Sequence, residues 1–158
     1  MAAIGTLSLH DVPARESALA DFYGRFANNA LVVDKWFALQ AMIPEAKTLD
    51  RVRALTKHPA FDFSNPNRVR SLIGAFAGNP AQFHGPDGAG YDFIADSVIA
   101  LDPKNPQVAA RLATAFRTWR TMTSDRQTRA EAALKRIKAA PALSRDVSEI
   151  VERALDVA

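Results

Sequence analysis

No cysteine occurs among the 158 residues, which excludes disulfides and thiolate metal sites and is compatible with a reducing, cytoplasmic location. Histidine is scarce: His10, His58 and His84 are the only three. No two of them stand four apart with a glutamate between, so no HExxH zinc-binding helix is encoded. His58 reads as the end of a helix and His84 as loop decoration. No apolar run approaches the ~18–20 residues of a membrane span, and MAAIGTLSLHDV lacks the basic segment and long apolar core of a secretory leader. The expectation is a soluble cytoplasmic protein with no membrane partner. No serine sits in a GxSxG elbow. The glycines of HGPDGAG (84–90) are preceded by no strand and followed by no Lys-Ser/Thr, so they read as a turn rather than a phosphate cradle. Strand-type alternation is missing throughout.

What is present is helical periodicity over a chain that is 48% apolar, ample for a buried core. Pro13 opens a helix with Leu19, Phe22, Tyr23 and Phe26 at helical spacing, and Asn28-Asn29 ends it. Residues 30–42 follow, with Val32, Val33, Trp36, Phe37 and Leu39, closed by Pro44. Asp34, beside Lys35 and Trp36, reads as ordinary helix-surface charge. Thr48 is expected to cap a short helix that must stop near His58, because Pro59 follows. Asn65 caps the next, with Pro66 at its first position, where a missing N–H costs nothing. Val69, Leu72, Ile73 and Phe76 then form one apolar face, and Gly78-Asn79-Pro80 ends the run. Further helices are expected over 91–101, 106–122, 124–139 and 144–157.

NPNRVRSLIGAF (65–76) and NPQVAARLATAF (105–116) match without gaps at five positions and lie 40 residues apart. That period suits two-helix HEAT or armadillo units. The expected fold is therefore all-α: a right-handed superhelical stack of about eight helices in antiparallel pairs, one helical-repeat domain over residues 1–158.

The net charge of +3 conceals an asymmetry. Between Lys104 and Lys138 nine Lys or Arg stand against only Asp125 and Glu131, a window of +7 that leaves −4 for the remainder. Such a window suits nucleic acid, an acidic partner, or simple solvation of helix faces. At 100° per residue, Arg117 and Arg120 lie about 60° apart on one helix. Arg126, Arg129, Lys135, Arg136 and Lys138 spread around most of the next. Only Phe116 and Trp119 interleave as aromatics, so no nucleic-acid partner is expected. Taken alone, the residues describe a helical scaffold without a catalytic constellation. A free-standing HEAT-like module that binds a protein along its concave face is one reading of it.

NPNRVRSLIGAFAGNPAQFH (65–84), ALVVDKWFALQA (30–41), LDRVRALTKHPAF (49–61) and NPQVAARLATAF (105–116) together carry a second reading. In that order and spacing they resemble the C-terminal end of the bacterial aminopeptidase N family, zinc metallopeptidases of the gluzincin type. The resemblance runs from about residue 12 onward. It implies a catalytic domain upstream, bearing HExxH, a distal glutamate and GxMEN, none of which occurs here. It implies that this chain is part of a helical domain that covers the active-site chamber and controls peptide entry and selection, without bond cleavage of its own. The cofactor implied is zinc in that other domain, with none in this chain. The implied partners are the catalytic domain of the same polypeptide and peptide substrates. By motif position the resemblance places Arg70 and Arg111 toward the chamber, with Arg68 as a further candidate.

The residues are compatible with that placement. Arg70 and Arg111 each fall in the first two turns of a helix, about 110–120° from its apolar stripe. A guanidinium there could fork to a peptide carboxylate or to carbonyls. Helix capping or ion pairing within the domain is the alternative role for all three arginines.

From the charge pattern, the chain is expected to show no detectable affinity for short duplex or single-stranded DNA at physiological ionic strength. Fluorescence anisotropy checks this, and sub-micromolar binding that survives about 0.2 M salt would contradict it.

Overall fold

The computed structural model describes residues 2–10 and 12–156, which are helical with short connections and contain no strand. The chain divides into two compact units, Met1–Gln82 and Phe83–Ala158. Among the described residues there are ten helices rather than eight. The additions are Ala2–Ser8 at the start and the single turn Pro80–Phe83, both too short to show a full apolar period.

In the first unit, helix Ala30–Ala41 packs against Pro13–Phe26, Thr48–Leu55 and the turn Arg70–Gly74. Val33, Phe37, Val52, Leu72, Ile73 and Phe76 are buried around it. Each such side chain contributes about 1.5–3 kcal/mol by leaving water. The Trp36 indole N–H donates to the Leu19 carbonyl at 2.9 Å, which ties helix Pro13–Phe26 to this core. Phe26, expected to join the apolar stripe, is instead exposed, because it lies in the last turn of its helix.

Helix starts follow the expected chemistry at Asn65, gain a cap at Asn29 that was not expected, and depart from expectation at Thr48. The Asn65 side chain accepts from the N–H groups of Asn67 and Arg68, with Pro66 at the first position. Asn29, read only as a terminator, caps helix Ala30–Ala41 by accepting from Val32 N at 3.2 Å. Thr48, expected as a cap, is the first helical residue and has no capping role. Its buried hydroxyl donates to the Ile43 carbonyl at 2.7 Å, anchoring the incoming loop. Asn79 does more than end a helix. Its buried side-chain amide donates to the carbonyls of Ala41 and Ile43 at 3.1 and 3.0 Å, satisfying acceptors that helix Ala30–Ala41 leaves open.

The stretch after Asn65 is not one uniform helix. Pro66–Val69 and Ala75–Ala77 are α-helical, while Arg70–Gly74 between them forms a π turn. The wider turn inserts a residue into the ladder. Val69, Leu72, Ile73 and Phe76 all remain buried across it.

In the second unit, helix Ala89–Leu101 packs on Pro106–Ala113 and Ser124–Lys138, and Arg145–Asp156 packs on the same two helices. Helix Ala89–Leu101 starts two residues earlier than its apolar pattern indicates, because Gly88 takes a left-handed conformation with φ of 77°. Pro106–Ala113 continues as a 3-10 helix over Thr114–Thr121, where a single α-helix was expected. Phe83, Tyr91 and Phe116 form an aromatic cluster, with centroids 5.1–5.8 Å apart. Three arginines of Ser124–Lys138 reach back across 42 to 44 residues of sequence: Arg126 to the His84 carbonyl, Arg129 to that of Asp87, and Arg136 to that of Asp92. Buried Asp102 accepts from the Ser144 backbone N–H at 2.7 Å and from the Ser144 hydroxyl, fixing the entry to Arg145–Asp156.

Gly88 is the one described glycine with positive φ, and a Cβ there would lie 2.8 Å from Arg129 Cδ and 3.1 Å from Arg129 Cβ. Gly88→Ala should therefore cost about 1–3 kcal/mol in denaturant unfolding. A loss below about 0.5 kcal/mol, the scale of an ordinary surface change, would contradict this account.

Candidate functional site

Arg68, Arg70 and Arg111 begin from the same local design, an Asn-Pro helix start with a cation within two turns. Asn105 repeats what Asn65 does: its side chain accepts from Val108 N at 3.2 Å, and Pro106 takes the first position. The three arginines then diverge.

Arg68 turns inward within the first unit. Its Nε donates to the Ala60 carbonyl at 2.9 Å and one terminal nitrogen to that of Ala30 at 3.0 Å. The same nitrogen bonds the Asp34 carboxylate, and the guanidinium lies 5.8 Å from the Phe37 ring centroid. Both side chains of the pair are largely covered, at 12% and 18% exposure. Asp34 also accepts from the Ser71 hydroxyl at 3.2 Å. Asp34 is thus no free surface charge. It joins helix Ala30–Ala41 to both sides of the Val69–Arg70 step. The sequence reading missed this because the pair is 34 residues apart and nothing local marks it.

Arg70, at the start of the π turn, is exposed, and one terminal nitrogen donates to Asn67 Oδ1 at 2.8 Å. That acceptor is neutral, so the cation's charge is uncompensated locally. Arg111, in the second unit, is also exposed, and its guanidinium has no hydrogen-bond or ion-pair partner among the described residues. Arg70 and Arg111 both present donors to incoming oxygen atoms, and both keep planar geometry suited to a carboxylate or paired carbonyls.

The described residues assemble no zinc ligand set. Among the described residues no group of three or more His, Asp or Glu side chains converges on one point. His58 is committed elsewhere: its Nδ1 accepts from Ala60 N at 3.1 Å, and Tyr23, Trp36 and Phe37 surround its ring at 4.9–6.0 Å. His84 is not loose decoration either. Its Nδ1 lies 2.8 Å from the hydroxyl of fully buried Tyr91. Burial lowers the pKa of both rings below the ordinary imidazole value, and the nearby Arg126 guanidinium lowers that of His84 further. Burial raises that of the Tyr91 hydroxyl.

Known proteins resemble this chain over nearly its whole length. Residues 1–156 match the family model described as a domain of unknown function (DUF3458_C) with ARM repeats. Aminopeptidase N of Escherichia coli K12 is 42% identical over 156 residues, covering 98% of this chain and 18% of that protein. Aminopeptidase N of Caulobacter vibrioides is 46% identical over 142 residues, covering 89% and 16% respectively. The crystal structure of Legionella pneumophila aminopeptidase A in complex with aspartic acid superimposes with a TM-score of 0.92 at 35% identity, over 98% of this chain and 18% of that one. The chain therefore spans less than a fifth of the length of these relatives.

The two imidazoles generate a pH dependence of stability. The unfolded chain protonates its histidines near pH 6.5, whereas the folded chain holds both rings neutral to lower pH. Their contribution is complete above about pH 6.5 and is lost as pH falls below it, because only the unfolded state gains protons. Glu16 and Glu45, held low by hydrogen bonds from Arg51 and Arg15, titrate beneath this window. Tm should fall between about pH 7.5 and 5.5. The double variant His58→Asn, His84→Asn keeps an acceptor at each Nδ1 position and should remove at least about half of that slope. An unchanged slope in the double variant would show that other groups carry it.

Proposed function

The chain belongs to this ARM-repeat family and corresponds to the C-terminal helical region of aminopeptidase N-like enzymes, and from that membership we propose that it is the non-catalytic part of a cytoplasmic zinc aminopeptidase. In this reading it covers the chamber in which peptides are held and governs which of them enter. The observation that carries the proposal is the end-to-end match to less than a fifth of enzymes that act as aminopeptidases, joined to a chain whose described residues assemble no ligand set for zinc. The metal and the bond-breaking groups would belong to the catalytic domain of the same polypeptide.

Arg70 and Arg111 are the residues we assign to peptide binding. Both are exposed, neither has a carboxylate partner, and both stand at equivalent helix starts. Forked hydrogen bonds to a substrate's carbonyls or terminal carboxylate would orient a peptide without taking part in hydrolysis. We assign Arg68 a positioning role toward the same channel, since its contacts to Ala30, Asp34 and Ala60 fix the helix from which Arg70 projects.

The test uses the intact polypeptide that carries this chain. Arg70→Ala and Arg111→Ala should each lower kcat/KM for peptides of several residues by about tenfold, chiefly through KM. Turnover of a single-residue chromogenic substrate, too short to reach the arginines, should change by less than about twofold. The 158-residue chain alone should release no amino acid. Unchanged peptide kinetics in both variants, or chelator-sensitive turnover by the isolated chain, would overturn the proposal.

A further inference from the structure

The 3-10 helix Thr114–Thr121 changes what the basic window can do. Between Pro106 and Thr121 there is no acidic residue, and Arg111, Arg117 and Arg120 are all exposed. With three residues per turn, side chains three apart eclipse one another at about 6 Å along the axis. Thr114, Arg117 and Arg120 therefore line one edge, and buried Phe116 and Trp119 line another. An α-helix would have turned the two arginines about 60° apart. Arg111, one α turn before Thr114, stands near the head of the same edge.

Among the described residues no carboxylate forms an ion pair with Arg111, Arg117 or Arg120. Arg117 and Arg111 have no hydrogen-bond or ion-pair partner among the described residues. Glu131, which feels the charge of Arg120, is ion-paired with Lys135 at 2.9 Å. On helix Arg145–Asp156, Glu149 pairs with Arg145 and Glu152 accepts from Ser148. Arg120 is ordered in advance. One terminal nitrogen donates to the Leu155 carbonyl at 2.6 Å, and the guanidinium lies 4.5 Å above the Trp119 ring. Its other nitrogens remain as donors, at little further entropic cost.

We propose that this edge is a docking surface for an extended acidic peptide segment whose carboxylates, at alternate positions, engage Arg117 and Arg120. In an extended chain every second side chain points the same way, and such neighbours are about 6.4–6.8 Å apart. That repeat matches the ~6 Å rise between the backbone positions of Arg117 and Arg120. Each guanidinium accepts a carboxylate in a forked pair. A nucleic acid suits the edge less well. Phe116 and Trp119 are buried and offer no ring for base stacking, and two or three phosphate contacts give only a weak, salt-sensitive attraction. The proposal rests on side chains and helix geometry of the second unit, and its two anchors, Arg117 and Arg120, are not residues assigned to peptide binding in the chamber.

The test is fluorescence anisotropy at low ionic strength with the 158-residue chain and three labelled probes. These are a short peptide alternating glutamate and threonine, its glutamine counterpart, and an oligothymidylate of equal length. The glutamate peptide should bind and the glutamine peptide should not. Arg117→Glu, which removes no internal contact, should weaken binding by about tenfold. Arg120→Lys, which keeps the charge and loses the fork, should weaken it by roughly threefold or more. Lys138→Glu, an exposed cation on another helix, should change it by less than about twofold. Equal loss from Lys138→Glu would mean diffuse attraction and overturn the proposal. Tighter binding of oligothymidylate, or no binding of the glutamate peptide, would overturn it as well.

Discussion

Every helix leaves about four N–H groups unbonded at its start and four carbonyls at its end, and this chain is built from many short helices. That constraint organises a recurring set of its side-chain-to-backbone contacts. Asn29, Asn65 and Asn105 supply acceptors at helix starts. Ser144, itself held by Asp102, supplies another to Val147. At carbonyl ends, Asn79 serves Ala41 and Ile43, while Trp119 and Arg120 serve Ala154 and Leu155. No buried side-chain nitrogen or oxygen among the described residues is left without a partner.

The same demand decides which cations remain available to a ligand. Arg68, Arg126, Arg129 and Arg136 all reach backbone carbonyls, so much of the basic character read from composition is internal bonding. Outside that set, Arg70 has a neutral partner, and Arg111, Arg117 and Arg153 have none among the described residues. For two of these arginines the local backbone is not α-helical. A π turn begins at Arg70, and a 3-10 helix carries Arg117. Both are departures from α geometry that periodicity at 3.6 residues cannot represent.

Much of the architecture was legible because it is written locally. Asn-Pro followed by an apolar stripe specifies a helix start within four residues, and its recurrence after 40 residues revealed the repeat. Blocks such as DKWFALQ and NPNRVRSLIGAF carry the family resemblance in sequence alone. Other features were out of reach. Thr48 has the composition of a cap, yet a carbonyl five residues upstream in the folded loop competes for its hydroxyl. Asp34 looked like a solvated charge, and His84 like an ornament of a turn.

What the sequence by itself determined is the all-helical repeat character, the positions of most helix starts, the family, and the short list of arginines worth testing. The helical character and helix starts rest on interactions between residues three or four apart, whereas the family and the arginines follow from the resemblance of whole blocks. Only the tertiary structure decided which arginines turn inward and which stay outward. Arg68, for example, meets Asp34 across 34 residues of sequence, and both side chains are largely covered. Such pairs acquire energy only after packing has excluded water around them, so no local pattern can announce them.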